Sequence, residues 1–201
     1  MVSISNIPSH KNAVIFELDN VLLPQKDYDL QVYYLFANFI EYLGAFPEAK
    51  DVIDFISKRY EVYGNENMFR EVSATFGIDQ KYQENLELLF SNAKLPLKLL
   101  LFKEALLLLQ DLAVERKQIF ILTTGNPKQQ LNKITQTEWN GLDKYLKVYF
   151  ADEFNPKPSI ESLDYILKEN NLNKEEVLIV AKAENDRVMA HHYGIDYIAV
   201  S

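Results

Sequence analysis

Five short apolar runs constrain this chain more than any other feature: Ala13–Phe16, Ile119–Leu122, Val148–Ala151, Val177–Val180 and Tyr197–Val200. They are rich in β-branched and aromatic residues, and apolar positions do not alternate with polar ones. A strand buried on both faces reads this way, and such strands belong to parallel sheets covered by helices. Helical periodicity fills the intervals after the second, third and fourth runs, near 127–137, 159–170 and 184–193. Strand–helix–strand repetition predicts an α/β fold, a doubly wound parallel five-stranded sheet.

The rhythm breaks once, because about a hundred residues separate the first run from the second. Helices are expected there near 28–44, 48–63, 66–76 and 80–92, separated by Gly44 and Pro47, Gly64 and Gly77. Val32, Leu35, Phe36, Phe39, Ile40 and Leu43 recur at helical spacing and make one apolar face. The prediction is a core domain of 1–24 and 93–201, with a helical domain, 25–92, inserted after the first strand. An insertion there overhangs the carboxyl ends of the strands, where open α/β sheets bind ligands, and so would act as a cap. A long helix, 98–115, is expected to lead into the second strand. The apolar stretch 95–112 is interrupted by Lys98, Lys103, Glu104 and Asp111, too often for a membrane span, and reads as a buried helix.

Composition narrows the function. A hydrophobic share of 48%, with 12 Tyr, 12 Phe and 1 Trp, fills a large core. The net charge is −8 and no basic block offers a footprint for a phosphate backbone, so no nucleic-acid partner is expected. The absence of cysteine removes disulfides, thiolate metal sites and cysteine nucleophiles, and suits a reducing cytoplasm. The first twelve residues lack the charged start and apolar stretch of a signal peptide.

Polar residues gather at the strand tips. Glu17 and Asp19 follow the first strand at i, i+2, which turns both to one side. Buried there, two acids cost several kcal/mol unless a cation, a metal or backbone N–H groups compensate; a plain polar turn would use the same residues. Thr123 ends the second strand, and Gly125, Asn126 and Pro127 turn the chain into a helix. A hydroxyl, a helix start and a glycine suit an anion, and equally suit an ordinary helix cap. Lys157 lies between two prolines, ahead of Ser159, a candidate cap. Lys182, Glu184 and Asp186 follow the fourth strand.

Taken together, these tips resemble the haloacid dehalogenase superfamily, in its helical-cap subgroup of phosphoglycolate phosphatase- and haloacid dehalogenase-like hydrolases. The first motif, hydrophobic-D-x-D-x-T/V, stands here as Phe16-Glu17-Leu18-Asp19-Asn20-Val21. Thr123 matches the second motif and Lys157-Pro158 the third. The fourth, typically G-D-x-x-x-D, stands as Ala181-Lys182-Ala183-Glu184-Asn185-Asp186. The resemblance implies catalytic roles at Glu17 and Asp19, phosphate binding by Thr123, Gly125, Asn126 and Lys157, and magnesium among Glu17, Asp19 and Asp186.

Two positions depart from the family pattern. Glu17 stands where relatives carry the aspartate nucleophile, one methylene longer, and a displacement of about 1 Å from near-attack geometry costs ~10²-fold in rate. Lys182 replaces a metal-ligand aspartate with an ammonium, which coordinates no hard cation. Three carboxylates and two lysines leave a net charge of −1, the same as the usual four carboxylates, one lysine and one Mg²⁺. Lys182 is therefore expected in the vacated metal site, paired with Glu17 and Asp186, with no cofactor favoured and magnesium required only if the family pattern holds. The leading expectation is a degenerate member that binds a small phosphorylated or anionic metabolite without magnesium. Its alternatives are an active magnesium-dependent phosphatase and a metal-free, dehalogenase-like hydrolase. His191 and His192 suit the end of the last helix as cations, and Trp139 and the tyrosines of 28–42 are expected in packing.

Overall fold

The computed structural model describes residues 4–44 and 47–200. It divides into two compact units, one of 1–24, 100–130 and 137–201 and the other of 25–99 and 131–136. Set against the expected insertion of 25–92, the helical unit runs on to 99 and takes in 131–136. Among the described residues no helix is long and apolar enough to cross a membrane.

The first unit is built on five parallel strands: β1 (Ala13–Phe16), β2 (Gln118–Thr123), β3 (Leu146–Phe150), β4 (Val177–Ala181) and β5 (Asp196–Ala199). Their order is β3-β2-β1-β4-β5. In register, Ile15 lies opposite Phe120 on one side and Ile179 on the other. The chain winds outward from β1 through β2 to β3, then returns to lay β4 on the other flank of β1. That reversal beside β1 is the topological switch point of an open α/β sheet, the place where ligands bind. One face packs Phe120, Leu163, Ile166, Ile179 and Met189 into a buried cluster.

Helices α5 (Lys103–Val114), α6 (Pro127–Gln136), α7 (Glu161–Glu169) and α8 (Glu184–Tyr193) follow the strand rhythm. The expected helix 98–115 starts late, at Lys103, because Phe102 is extended and its N–H is held by the Leu22 carbonyl at 2.8 Å. The stretch 95–102 is therefore not helical, against the expectation of a buried helix over 95–112, and Leu97 and Leu100 are exposed. His191 and His192 are exposed in the last turn of α8.

The second unit contains α1 (Gln25–Tyr42), α2 (Ala49–Tyr63), α3 (Met68–Phe76) and α4 (Gln83–Asn92). Tyr28, Phe36, Val52, Ile56, Met68 and Leu86 make its core. Edge-to-face ring pairs, Tyr33 with Phe90 and Phe55 with Phe76, both at 5.5 Å between centroids, lock the helices together. Tyr60 donates to the fully buried Asp29 carboxylate at 2.6 Å. Burial, then the nearby Asp29 charge, pushes the Tyr33 phenol above its ordinary range. The tyrosines of 28–42 do not all pack: Tyr28 and Tyr33 are buried, while Tyr34 is exposed and Tyr42 is 87% exposed at the last residue of α1.

Candidate active site

The site lies at the switch point, in the first unit. The Glu17 N–H still bonds the Val180 carbonyl at 3.2 Å, which continues the β1 ladder by one residue. The chain then breaks from the sheet: Asn20 takes a left-handed φ of 59°, and the Leu18 carbonyl accepts the N–H groups of Leu22 and Leu23 at 3.0 and 3.3 Å. Asparagine tolerates this conformation better than most residues. The turn leaves the Glu17 side chain facing Thr124, just past the tip of β2, and Lys157.

Four donors converge on the Glu17 carboxylate. Oε1 accepts from the backbone N–H of Leu18 at 2.9 Å and of Thr124 at 3.4 Å. Oε2 accepts from the Thr124 hydroxyl at 3.1 Å and from Lys157 Nζ at 2.9 Å. Lys157 also donates to Asp186 Oδ1 at 2.6 Å and to the Leu122 carbonyl at 3.2 Å. Its side chain is only 4% exposed, and the partners are 10% (Glu17) and 4% (Asp186) exposed. Burial pulls the Lys157 ammonium toward neutrality, but Glu17 and Asp186 outweigh it and hold the pKa above the ordinary lysine value. For Asp186 burial prevails over the Lys157 charge, and its pKa sits above the usual carboxylate range.

The hydroxyl at Glu17 belongs to Thr124 and not to the expected Thr123. Thr123 is the last residue of β2, paired in register with Phe150 and fully buried, with no partner for its Oγ1. Successive side chains on a strand face opposite ways, so Thr123 and Thr124 serve different faces; the doubled threonine was the available signal. Gly125 and Asn126 follow Thr124 in the turn, but both are engaged elsewhere. The Gly125 N–H donates to Asp152 Oδ1 at 3.0 Å, and Asn126 Oδ1 caps α6 by accepting from Lys128 and Gln129 at 3.0 and 3.3 Å. Gln130, buried one turn into α6, donates to Asp19 Oδ2 at 3.0 Å and to the Thr124 carbonyl at 2.8 Å. Neither Gln130 nor Asp152 stood out in the sequence, since an amide in a helix and an acid after a strand have no distinctive spacing.

Lys182 is not where the charge count put it. Lys157 takes the place between Glu17 and Asp186, and among the described residues Lys182 forms no ion pair. Its exposed side chain helps line a pocket of about 310 Å³, walled mainly by Phe16, Val21, Leu108 and Val180. The physical reason is hydration: an ammonium left in water avoids a desolvation cost that the buried Lys157 already meets for both acids.

A family model described as haloacid dehalogenase-like hydrolase matches residues 14–200. The chain belongs to that family. No curated protein matches the sequence. Among solved structures, the magnesium-bound HAD-hydrolase YfnB from Bacillus subtilis has a TM-score of 0.66 at 16% identity, covering 94% of this chain and 86% of its own. A protein assigned as a beta-phosphoglucomutase from Thermotoga maritima has a TM-score of 0.65 at 19% identity, covering 94% and 85%. The defluorinating L-2-haloacid dehalogenase Rha0230 has a TM-score of 0.57 at 16% identity, covering 92% and 79%. At these identities the likeness is one of fold.

Magnesium is general in the family, and its fit can be tested on the donors present. Mg²⁺ demands hard oxygen ligands in a near-octahedral shell. Here Lys182 puts an ammonium at the fourth-motif position of a ligand carboxylate, and among the described residues no three His, Cys, Asp or Glu side chains gather where they could hold a metal. The donor set does not fit the ion.

Proposed function

We propose that this chain is a degenerate member of the family that binds a small phosphorylated or otherwise anionic metabolite without magnesium, and does not turn it over. One observation carries this reading: the donors on Glu17 are an ammonium, a hydroxyl and two backbone N–H groups, the set that suits a tetrahedral oxyanion. In-line phosphoryl transfer depends almost wholly on positioning and on charge neutralisation. Glu17 displaces the attacking carboxylate, and the cation that would neutralise the leaving charge has no ligand shell. The lack of cysteine supports a cytoplasmic setting.

The test is hydrolysis of a generic aryl phosphate with and without magnesium, against an Asp19→Asn control. The expected result is no turnover above that control. Magnesium-dependent turnover that disappears in Asp19→Asn would mean that Glu17 attacks phosphorus despite its length. Halide release from a 2-haloacid without added metal would favour the dehalogenase-like alternative, whose fold is shared by the defluorinating relative.

A further inference from the structure

On the reading that this cluster takes small anions, we infer that Glu17 is its built-in occupant: the carboxylate fills the oxyanion cradle, and a ligand must displace it to bind. Five donors at and after the β2 tip already have an oxygen of the chain itself. The Thr124 N–H and hydroxyl go to Glu17, the Gly125 N–H to Asp152, and the N–H groups of Lys128 and Gln129 to Asn126. On the other side of the carboxylate, Lys157 and the Leu18 N–H complete the set. A carboxylate with four donors on two oxygens is the environment that a bound anion would have.

Side-chain length explains why this falls to Glu17. The carboxylate folds back far enough to reach the N–H of its own neighbour, Leu18, while still meeting Thr124 and Lys157 across the strand tips. An aspartate there would be one methylene shorter, about 1.5 Å of C–C bond, and would draw its oxygens away from the Thr124 donors. The glutamate is thus a specificity-determining residue of an unusual kind. It keeps out weak anions, and it admits only a ligand whose other contacts offset the loss of the Glu17 hydrogen bonds and the repulsion of its charge.

The probe is inorganic phosphate, titrated calorimetrically in the presence of a chelator into wild type, Glu17→Ala and Glu17→Asp. Circular dichroism and thermal melts check the fold of each variant, and Glu17→Asp, which retains a carboxylate for Lys157, covers the case in which the alanine variant unfolds. Freeing even one charge-assisted donor is worth about tenfold in affinity or more. Glu17→Ala should therefore bind phosphate at least about tenfold more tightly than wild type, with Glu17→Asp between the two. Equal binding by all three proteins, abolished by Lys157→Met, would overturn the occupancy of the cradle by Glu17 while leaving the anion site standing. Folded variants that bind no phosphate at all would overturn the anion site itself, and the occupancy with it.

Discussion

Lys157→Met removes the ammonium between Glu17 and Asp186 but keeps the length of the buried stem. Glu17 Oε2 loses one of its two donors, whereas Asp186 Oδ1 loses a contact of 2.6 Å at a side chain only 4% exposed. Removing one partner of a buried pair costs about 3–5 kcal/mol, because a charge is left without compensation. Glu17 retains three other donors, so the lower end applies: about 3 kcal/mol, or a fall of about 6–12 °C in Tm for a chain of this size. The loss must also depend on pH. Asp186 has a pKa above its unfolded value, so the native state takes up its proton more readily, and native stability gains as pH falls through the folded pKa. The variant, with no ammonium to hold Asp186 ionised, gains more, and its deficit narrows between pH 7.5 and 5. Lys157 works the other way in wild type: its raised pKa contributes stability below the ordinary lysine value of about 10.4, lost as pH rises through the folded value. Urea denaturation followed by circular dichroism at pH 7.5 and 5 measures the loss and its dependence on Asp186. A loss under about 1 kcal/mol, or the same loss at both pH values, would refute the buried bridge.

Three further variants test neighbouring statements by the same denaturation assay. Gly125→Ala sets a Cβ 3.0 Å from Gln130 Nε2 at a φ of +111°, and strain at such a residue predicts a loss of about 1–3 kcal/mol; an unchanged midpoint would contradict the close approach. Tyr60→Phe takes a donor at 2.6 Å from the fully buried Asp29 carboxylate, and should cost about 1–3 kcal/mol, whereas a neutral outcome would mean that Asp29 does not depend on that bond. Lys182→Met, at an exposed ammonium without an ion pair among the described residues, should stay within about 0.5 kcal/mol of wild type. A large loss there would restore the buried pairing that the charge count predicts.

The three central strands, β1, β2 and β4, were legible because both faces are buried, whereas the edge strands β3 and β5 are partly exposed. A run such as Val177–Val180 has no polar position to mislead, and it falls inside β4 with only Ala181 added. Helix periodicity located α8 correctly, but it carried α5 too far back, since periodicity is blind to the backbone hydrogen bond between Phe102 and Leu22. At the site, the strand tips identified Glu17, Lys157 and Asp186, which meet in one hydrogen-bonded cluster. Thr124, Asp152 and Gln130 were missed because their roles depend on which way a side chain turns at the end of a strand or across a helix turn, a choice of about one residue that composition and spacing do not encode. Lys182 failed for a different reason. A charge count balances the whole cluster without saying which of two lysines enters it, and burial cost allots that place to the one with the enclosed stem.

The reading without magnesium rests on Lys182, which stands where relatives carry a metal-ligand aspartate. Calorimetric titration of magnesium into the wild-type protein at pH 7.5 tests it most directly. The expected result is no saturable heat at millimolar magnesium and no change when Asp186→Asn replaces the wild type. Saturable binding of one ion per chain, lost in Asp186→Asn, would contradict it and return the site to the family's metal-dependent pattern.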